Sequence, residues 1–120
     1  MRKLTVLCMP AVSLLAGCAT SQSNFTPYIA QSYAPRAETY SIAVIADGVE
    51  PDRPFLRLGE VYSVRDGHFN TADREALLPD LIAQTRKAGG DAVMNLREER
   101  DRHLESVRYV LSATAIRYTD

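Results

Sequence analysis

Residues 77–96, LLPDLIAQTRKAGGDAVMNL, contain the junction that decides the fold. Leucine and isoleucine recur at helical spacing in the first half, and Arg86 and Lys87 stand where a helix would end. Gly89 suits the left-handed residue that follows a helix, and residues 91–96 are apolar enough for a buried strand. The segment therefore predicts a helix that turns directly into a strand.

Strand patterns lie on both sides of this junction. Residues 40–46 and 55–64 are predicted as two strands before the helix, and Gly59 indicates a bulge or a close approach of two backbones. Residues 106–118 alternate in polarity and predict a long final strand, with its odd-numbered residues 107–115 on one face. The order is ββαββ, an α+β domain with one helix packed on a small sheet.

The start of the helix is left open by the sequence. Residues 65–70 are polar and predict the loop that precedes it. Asn70 or Thr71 can serve as the N-cap, but Pro79 also suits the first helical position. Both starting points remain as alternatives.

The N-terminus carries the most specific motif. Two basic residues precede the uncharged residues 4–16, whose roughly 20 Å of helix is too short for a ~30 Å hydrocarbon core. Residues 15–18 then read LAGC, which resembles the lipobox of bacterial lipoproteins. The resemblance implies that residues 1–17 are a signal peptide and that the thiol of Cys18 takes a diacylglycerol before cleavage.

The lipobox resemblance also implies a location. Acyl chains on Cys18 would anchor the protein stably in a membrane. Ala19, rather than an aspartate, follows this cysteine, and by resemblance to enterobacterial sorting rules this favours the periplasmic face of the outer membrane over the inner membrane. Cleavage would remove Cys8, so the mature chain would keep no thiol for a disulfide or a nucleophile. The alternatives are an ordinary signal peptide with a chance cysteine and a buried N-terminal helix.

The next segment is predicted to be a linker. Residues 18–38 are rich in polar residues and proline, and we interpret them as the lipidated cysteine and a flexible tether. Residues 39–120 are then the folded domain. Phe25, Tyr28 and Tyr33 interrupt the tether, either as a docking segment or as side chains that pack back on the domain or stay solvated.

Two short segments carry a family resemblance. Residues 58–61 read LGEV, and residues 88–95 read AGGDAVMN. Together they resemble a superfamily of small ββαββ domains, over roughly residues 40–118. The superfamily includes the outer-membrane stress-sensor lipoproteins of the Rcs phosphorelay and small oligomeric cytoplasmic proteins often labelled heavy-metal-binding. The motif residues are geometric rather than catalytic: Gly59, Gly89, Gly90 and Asp91.

The chain departs from both branches of that superfamily. The Rcs sensor lipoproteins carry paired disulfides in this domain, which a mature chain without a free thiol could not form. Metal binding would depend on His68 and His103, which are weak candidates because both loops would have to meet in space. We therefore predict no metal site and no cofactor.

Residues 97–105, REERDRHLE, form a charged loop in this interpretation. Arg100, Arg102 and Glu105 are its candidate partner-binding residues. The alternative is a solvated hairpin tip without a partner, because the charges are of mixed sign.

Composition and the missing motifs limit the function further. The net charge is −1, so nothing marks the chain as a nucleic-acid binder. No catalytic or phosphate-binding motif is present, and we expect no enzyme activity. The leading hypothesis is a non-enzymatic interaction domain, an envelope-stress or assembly accessory with an envelope protein as partner. The alternative is a module that binds or senses a small ligand or metal ion, and self-association is left open.

Overall fold

The computed structural model describes residues 19–68 and 70–120, and the predicted signal peptide and Cys18 lie outside them. In this part of the chain, three strands precede the helix and two follow it. Their bounds are β1 Ala19–Pro27, β2 Ala43–Val44, β3 Phe55–His68, α1 Arg74–Lys87, β4 Ala92–His103 and β5 Ser106–Tyr118. One helix on one sheet agrees with the predicted α+β class, but an additional strand precedes the predicted ββαββ order.

The five strands form one mixed sheet in the order β1-β3-β5-β4-β2. β3 is antiparallel to both β1 and β5, and β5 is antiparallel to β4. β2 is parallel to β4 and pairs through only Ala43 and Val44. The long central strands β3 and β5 therefore carry most of the pairing, and the helix lies across one face of the sheet.

Helix α1 begins at neither of the positions that the sequence suggested. Its N-cap is Asp73, whose carboxylate accepts a hydrogen bond from the backbone N–H of Ala76 at 3.1 Å. Asn70 instead folds the preceding turn, accepting from the N–H of Ala72 and donating to the carbonyl of Arg65. Pro79 lies inside the helix, where it lacks the N–H that would continue the ladder.

The end of α1 follows the predicted glycine turn. Gly89 has a φ of 82° and its N–H donates to the carbonyl of Arg86 at 3.0 Å. The N–H of Gly90 donates to the carbonyl of Thr85 at 2.9 Å. This pair of bonds is a Schellman motif, which satisfies carbonyls that the last helical turn leaves open.

The core lies between α1 and the face of the sheet that it covers. The helix contributes Leu77, Leu81 and Thr85, all fully buried. The predicted alternation of β5 is confirmed, because its odd-numbered residues 107–115 are buried under the helix and the loop before it. These residues are Val107, Tyr109, Leu111, Ala113 and Ala115.

The structure corrects the prediction of a flexible tether over residues 18–38. Residues Ala19–Pro27 form edge strand β1, in register with β3 along its whole length. Phe25 packs against the core, and Gly59, which lies diagonally across from it on β3, leaves the space that its ring needs. A Cβ on Gly59 would lie 2.3 Å from the carbonyl oxygen of Thr26, so the predicted close approach is confirmed. A polar strand with few apolar residues has no clear period, which explains the wrong prediction.

Two loop predictions are also corrected. Residues 65–68, predicted as loop, extend β3 to His68. Residues 97–103, predicted as a charged loop, belong to β4, and only Leu104 and Glu105 form the turn to β5. The charges on β4 suit an edge strand, because β2 covers that edge only at Ala92 and Val93 and charged side chains protect an open edge.

Candidate functional site

Asp91 stands at the centre of a hydrogen-bond cluster just after the helix. It is 9% exposed, and its Oδ1 accepts from Arg36 Nη2 at 2.8 Å and from the hydroxyl of Tyr40. Its Oδ2 accepts from the backbone N–H of Tyr118 at 2.8 Å. Both carboxylate oxygens are therefore occupied by donors from the two ends of the domain.

Opposing effects act on the ionisation of this cluster. Burial by itself raises the pKa of Asp91, but the bonds from Tyr40 and Tyr118 and the charge of Arg36 outweigh it and hold that pKa below its usual value. The hydrogen bond to Asp91 raises the pKa of Tyr40. The carboxylate is thus held ionised, and the phenol is held neutral.

The same cluster fastens the segment between β1 and β2 to the helix end. The N–H of Arg36 donates to the carbonyl of Arg86 at 2.8 Å, and Arg86 Nε donates to the carbonyl of Tyr40 at 2.7 Å. The guanidinium of Arg117 lies over the ring of Tyr33 at 4.4 Å. Asp91 is therefore a structural anchor for this segment.

A second carboxylate cluster lies on β4 and β5. Tyr109 is 2% exposed and its hydroxyl donates to Glu98 Oε1 at 2.5 Å, while Arg74 Nη2 donates to Glu98 Oε2 at 2.7 Å. Burial, followed by the bond to Glu98, raises the pKa of Tyr109 to about 12. The bonds from Tyr109 and Arg74 lower the pKa of Glu98. This cluster joins α1 to the sheet.

The structure places the two candidate metal-binding histidines at one end of the sheet. His68 and His103 are both in register with Ser106, on the strands that flank β5. Two strand spacings, about 10 Å, separate their backbones. Within residues 19–68 and 70–120, no group of three His, Cys, Asp or Glu side chains converges to hold a metal ion.

The three candidate partner-binding residues have different surroundings. Arg100 donates to the carbonyl of Ala72 at 2.8 Å and lies over the ring of Tyr109 at 4.7 Å, so it stabilises the loop before α1. Arg102 lies on the exposed edge of β4, and Glu105 lies exposed in the turn that follows. Arg100 and Arg102 are two residues apart on β4 and therefore share one face of the strand, so the role of the three residues in partner binding stays a prediction.

Sequence reasoning missed Leu104, which occupies the turn between β4 and β5. It is 85% exposed and has a φ of 57°. Two-residue hairpin turns favour Gly, Asn or Asp where φ is positive, so an exposed leucine here is unusual. Its signal in the sequence is that it interrupts the charged residues 97–105 as a single apolar residue.

The sheet face opposite the helix combines a small apolar cluster with ion pairs. The cluster consists of the buried Ala92, Met94 and Ile116, with Ile45, Phe55 and Tyr118 packed against it. Arg97 of β4 pairs with Glu60 of β3 at 2.9 Å across the intervening strand β5, and Arg108 of β5 pairs with Asp66 of the neighbouring β3 at 3.2 Å. These pairs are largely exposed to solvent and contribute little to stability. They give the face a mixed charge with no dominant sign.

An apolar cleft of about 340 Å³ lies where β1 meets the end of the helix. Phe25, Pro27 and Leu58 line its sheet side, and Ile29 and Tyr33 line it from the segment after β1. Of the three aromatic residues predicted in the tether, Phe25 and Tyr33 thus pack on the domain, while Tyr28 is 53% exposed.

The comparisons with known proteins concern the fold. The chain is similar to a Francisella virulence factor. This protein, FvfA, was solved as a crystal structure in an orthorhombic form, and the match has a TM-score of 0.53 and 13% sequence identity. It covers 80% of this chain and 98% of FvfA. At this identity the likeness shows the fold alone: a small α+β domain with one helix on a mixed sheet.

No protein-family model and no curated protein matches the chain. Among the residues that the structure describes, no helix has the length and apolar character needed to cross a bilayer.

Proposed function

We propose that the chain is a bacterial lipoprotein, held by lipid on Cys18 at the periplasmic face of the outer membrane. Its domain acts as a non-enzymatic interaction module, an accessory to envelope stress sensing or assembly, with an envelope protein as partner. The observation that carries the proposal is the LAGC sequence at residues 15–18, preceded by a short apolar run. Ala19 at the next position favours outer-membrane sorting.

The polar clusters support a binding role rather than catalysis. The carboxylates of Asp91 and Glu98 are both engaged by donors and held ionised, so neither is poised near neutral pH as a general acid or base. Each cluster instead joins distant parts of the chain. The resemblance of residues 58–61 and 88–95 to the Rcs sensor lipoproteins supports the link to envelope stress.

In-cell crosslinking tests the interaction part of this proposal. The full-length protein is compared with a Cys18→Ser variant, and bound proteins are recovered and identified. Cys8→Ser is the matched control, because it changes a cysteine within the proposed signal peptide and leaves the lipobox intact. We expect one envelope protein to be recovered with the wild type and Cys8→Ser and lost with Cys18→Ser. Recovery of no discrete partner with any form would contradict the interaction role.

A small-ligand module is the second candidate, favoured by the cleft beside Phe25 and Tyr33. A ligand that binds the folded domain must raise its melting temperature. Thermal shift across a panel of small apolar ligands and divalent metals tests this candidate. A rise that Tyr33→Ala removes would support it, and an unchanged melting temperature across the panel would count against it.

A further inference from the structure

The start of β1 and the turn between β4 and β5 lie at the same end of the sheet. The pairing register aligns four residues across four strands at this end, and we call them the anchor-side row. They are Ala19, Gly67, Val107 and Arg102. With strands about 4.8 Å apart, Ala19 and Arg102 lie roughly 14 Å from each other.

Leu104 lies beyond this row, and Cys18 is the residue that precedes Ala19 in the sequence. β1 begins in the row at Ala19 and runs away from it, and a peptide bond joins Ala19 to Cys18. β4 runs towards the row, so Leu104 lies two residues beyond Arg102. Because β1 pairs from Ala19 onwards, no stretch of unpaired chain separates Cys18 from the sheet. A lipid on Cys18 would hold this end of the domain at the membrane.

The opposite end of the sheet lies well away from that position. The register aligns a far row across all five strands, formed by Pro27, Gly59, Ala115, Val93 and Val44. Eight residues of β1 separate the two rows, or about 27 Å. Tyr28 follows the far row directly and is 53% exposed. Tyr28 therefore provides an exposed apolar control position at the end of the sheet away from Cys18.

The geometry points to a lipid-contacting tip: Leu104 inserts among the headgroups of the membrane to which Cys18 is attached. This inference rests on the proposed lipidation of Cys18. It explains why a leucine occupies a turn position with φ of 57° and remains 85% exposed. Non-glycine residues held at a positive φ cluster at functional sites.

The contact is apolar rather than electrostatic. Arg108 at this end is already paired with Asp66 at 3.2 Å, and Asp101 and Glu105 flank Arg102 along the chain. These charges nearly cancel, so they offer no strong attraction to anionic lipid. The alternative contact for an exposed leucine is a second copy of the chain, and the test below distinguishes this contact from a contact with lipid.

Site-specific fluorescence in vesicles tests the inference. Leu104→Cys and Tyr28→Cys are each made in the full-length chain, and the mature lipidated protein is labelled with an environment-sensitive dye. The proposed processing leaves the introduced cysteine as the free thiol, because the sequence holds only Cys8 and Cys18. The proteins are placed in vesicles of phosphatidylethanolamine and phosphatidylglycerol, with and without a lipid that carries a quencher in its upper acyl chain.

We expect the label at position 104 to lose most of its emission to the lipid quencher and the label at position 28 to keep its emission. Equal quenching at both positions, or a blue-shifted emission at 104 that the lipid quencher leaves intact, would overturn the inference. The second result would indicate contact with another protein copy. The intact mass distinguishes failure of the proposed lipidation of Cys18 from failure of the Leu104 contact. A lipidated protein whose label at 104 is not quenched would overturn only the contact of Leu104 with lipid. An unlipidated protein would overturn both the lipidation and the contact.

Discussion

Asp91 lies 2.8 Å from Arg36, a residue 55 positions earlier in the chain, and this ion pair fastens the segment after β1 to the end of the helix. Gly89 makes the approach feasible, because a Cβ there would lie 2.7 Å from the side chain of Tyr33. The glycine turn therefore ends the helix and also receives the N-terminal segment. The AGGDAVMN sequence serves both purposes.

Asp91→Asn removes the negative charge that pairs with Arg36. We expect the free energy of unfolding to fall by about 2 kcal/mol at neutral pH, because a partly buried guanidinium loses its partner. The folded pKa of Asp91 lies below its ordinary value of 3.8, so its contribution is full above that value and is lost as pH falls through the folded pKa. Denaturant melts from neutral to acidic pH should show the two proteins converging in acid.

The exposed Asp52→Asn change is the control for that series. At neutral pH it should change the free energy of unfolding by no more than about 0.5 kcal/mol. A constant gap between Asp91→Asn and the wild type in acid would contradict the assignment of the lowered pKa to Asp91.

Tyr109→Phe tests the second cluster at the alkaline end. The phenol's pKa is raised from 10.0 to about 12, so the neutral form contributes stability that is full below pH 10 and lost as pH rises to about 12. Loss of its bond to Glu98 should cost about 2 kcal/mol at neutral pH. We expect the wild type to lose stability more steeply than Tyr109→Phe in alkali. Parallel curves by circular dichroism would contradict the raised pKa of Tyr109.

Gly59→Ala tests whether β1 belongs to the folded domain. A Cβ at this position would meet the carbonyl oxygen of Thr26 at 2.3 Å, so β1 must shift outward at a cost of about 2 kcal/mol. Hydrogen exchange should show protection lost over residues 19–27. Gly48→Ala is the control: its φ of 77° strains an alanine, but its Cβ meets nothing within 4 Å. That variant should lose stability and keep β1 protected.

Leu104→Asn tests the strain in the exposed turn. Asparagine tolerates a positive φ better than leucine, so we expect the free energy of unfolding to rise by about 0.5 kcal/mol. Leu104→Ala keeps the strain and should not raise it. Thermal melts compare the stability of the wild type and the two variants. An equal rise in stability in both variants would show that the loss of exposed apolar surface, and not the relief of backbone strain, causes the effect.

Much of the central fold could be predicted from the sequence. The alternation of β5 and the glycine turn after α1 are local signals, and both are present as expected. The helix start was harder, because Asp73 caps it while Asn70 resembles a cap and instead holds a turn. Neighbouring capping residues compete, and only the surrounding contacts select one.

The first strand and the Asp91 cluster could not be predicted in the same way. β1 is short of apolar residues, and its place depends on a partner strand some forty residues away. Arg36 and Tyr40 have no periodicity that marks them as partners of Asp91, since their contacts are long-range. Leu104 left a weak signal as an apolar residue among charges, but its exposure and positive φ are properties of the folded turn.

The central claim is that Cys18 carries lipid and begins the mature chain. The most direct test is the intact mass and N-terminal peptide of the protein purified from bacterial membranes, with Cys8→Ser and Cys18→Ser processed in parallel. The account predicts a chain that begins at residue 18 and carries a diacylglycerol in the wild type and Cys8→Ser, and an unlipidated protein in Cys18→Ser. A wild-type protein that keeps residues 1–17, or is cleaved elsewhere without lipid, would contradict it.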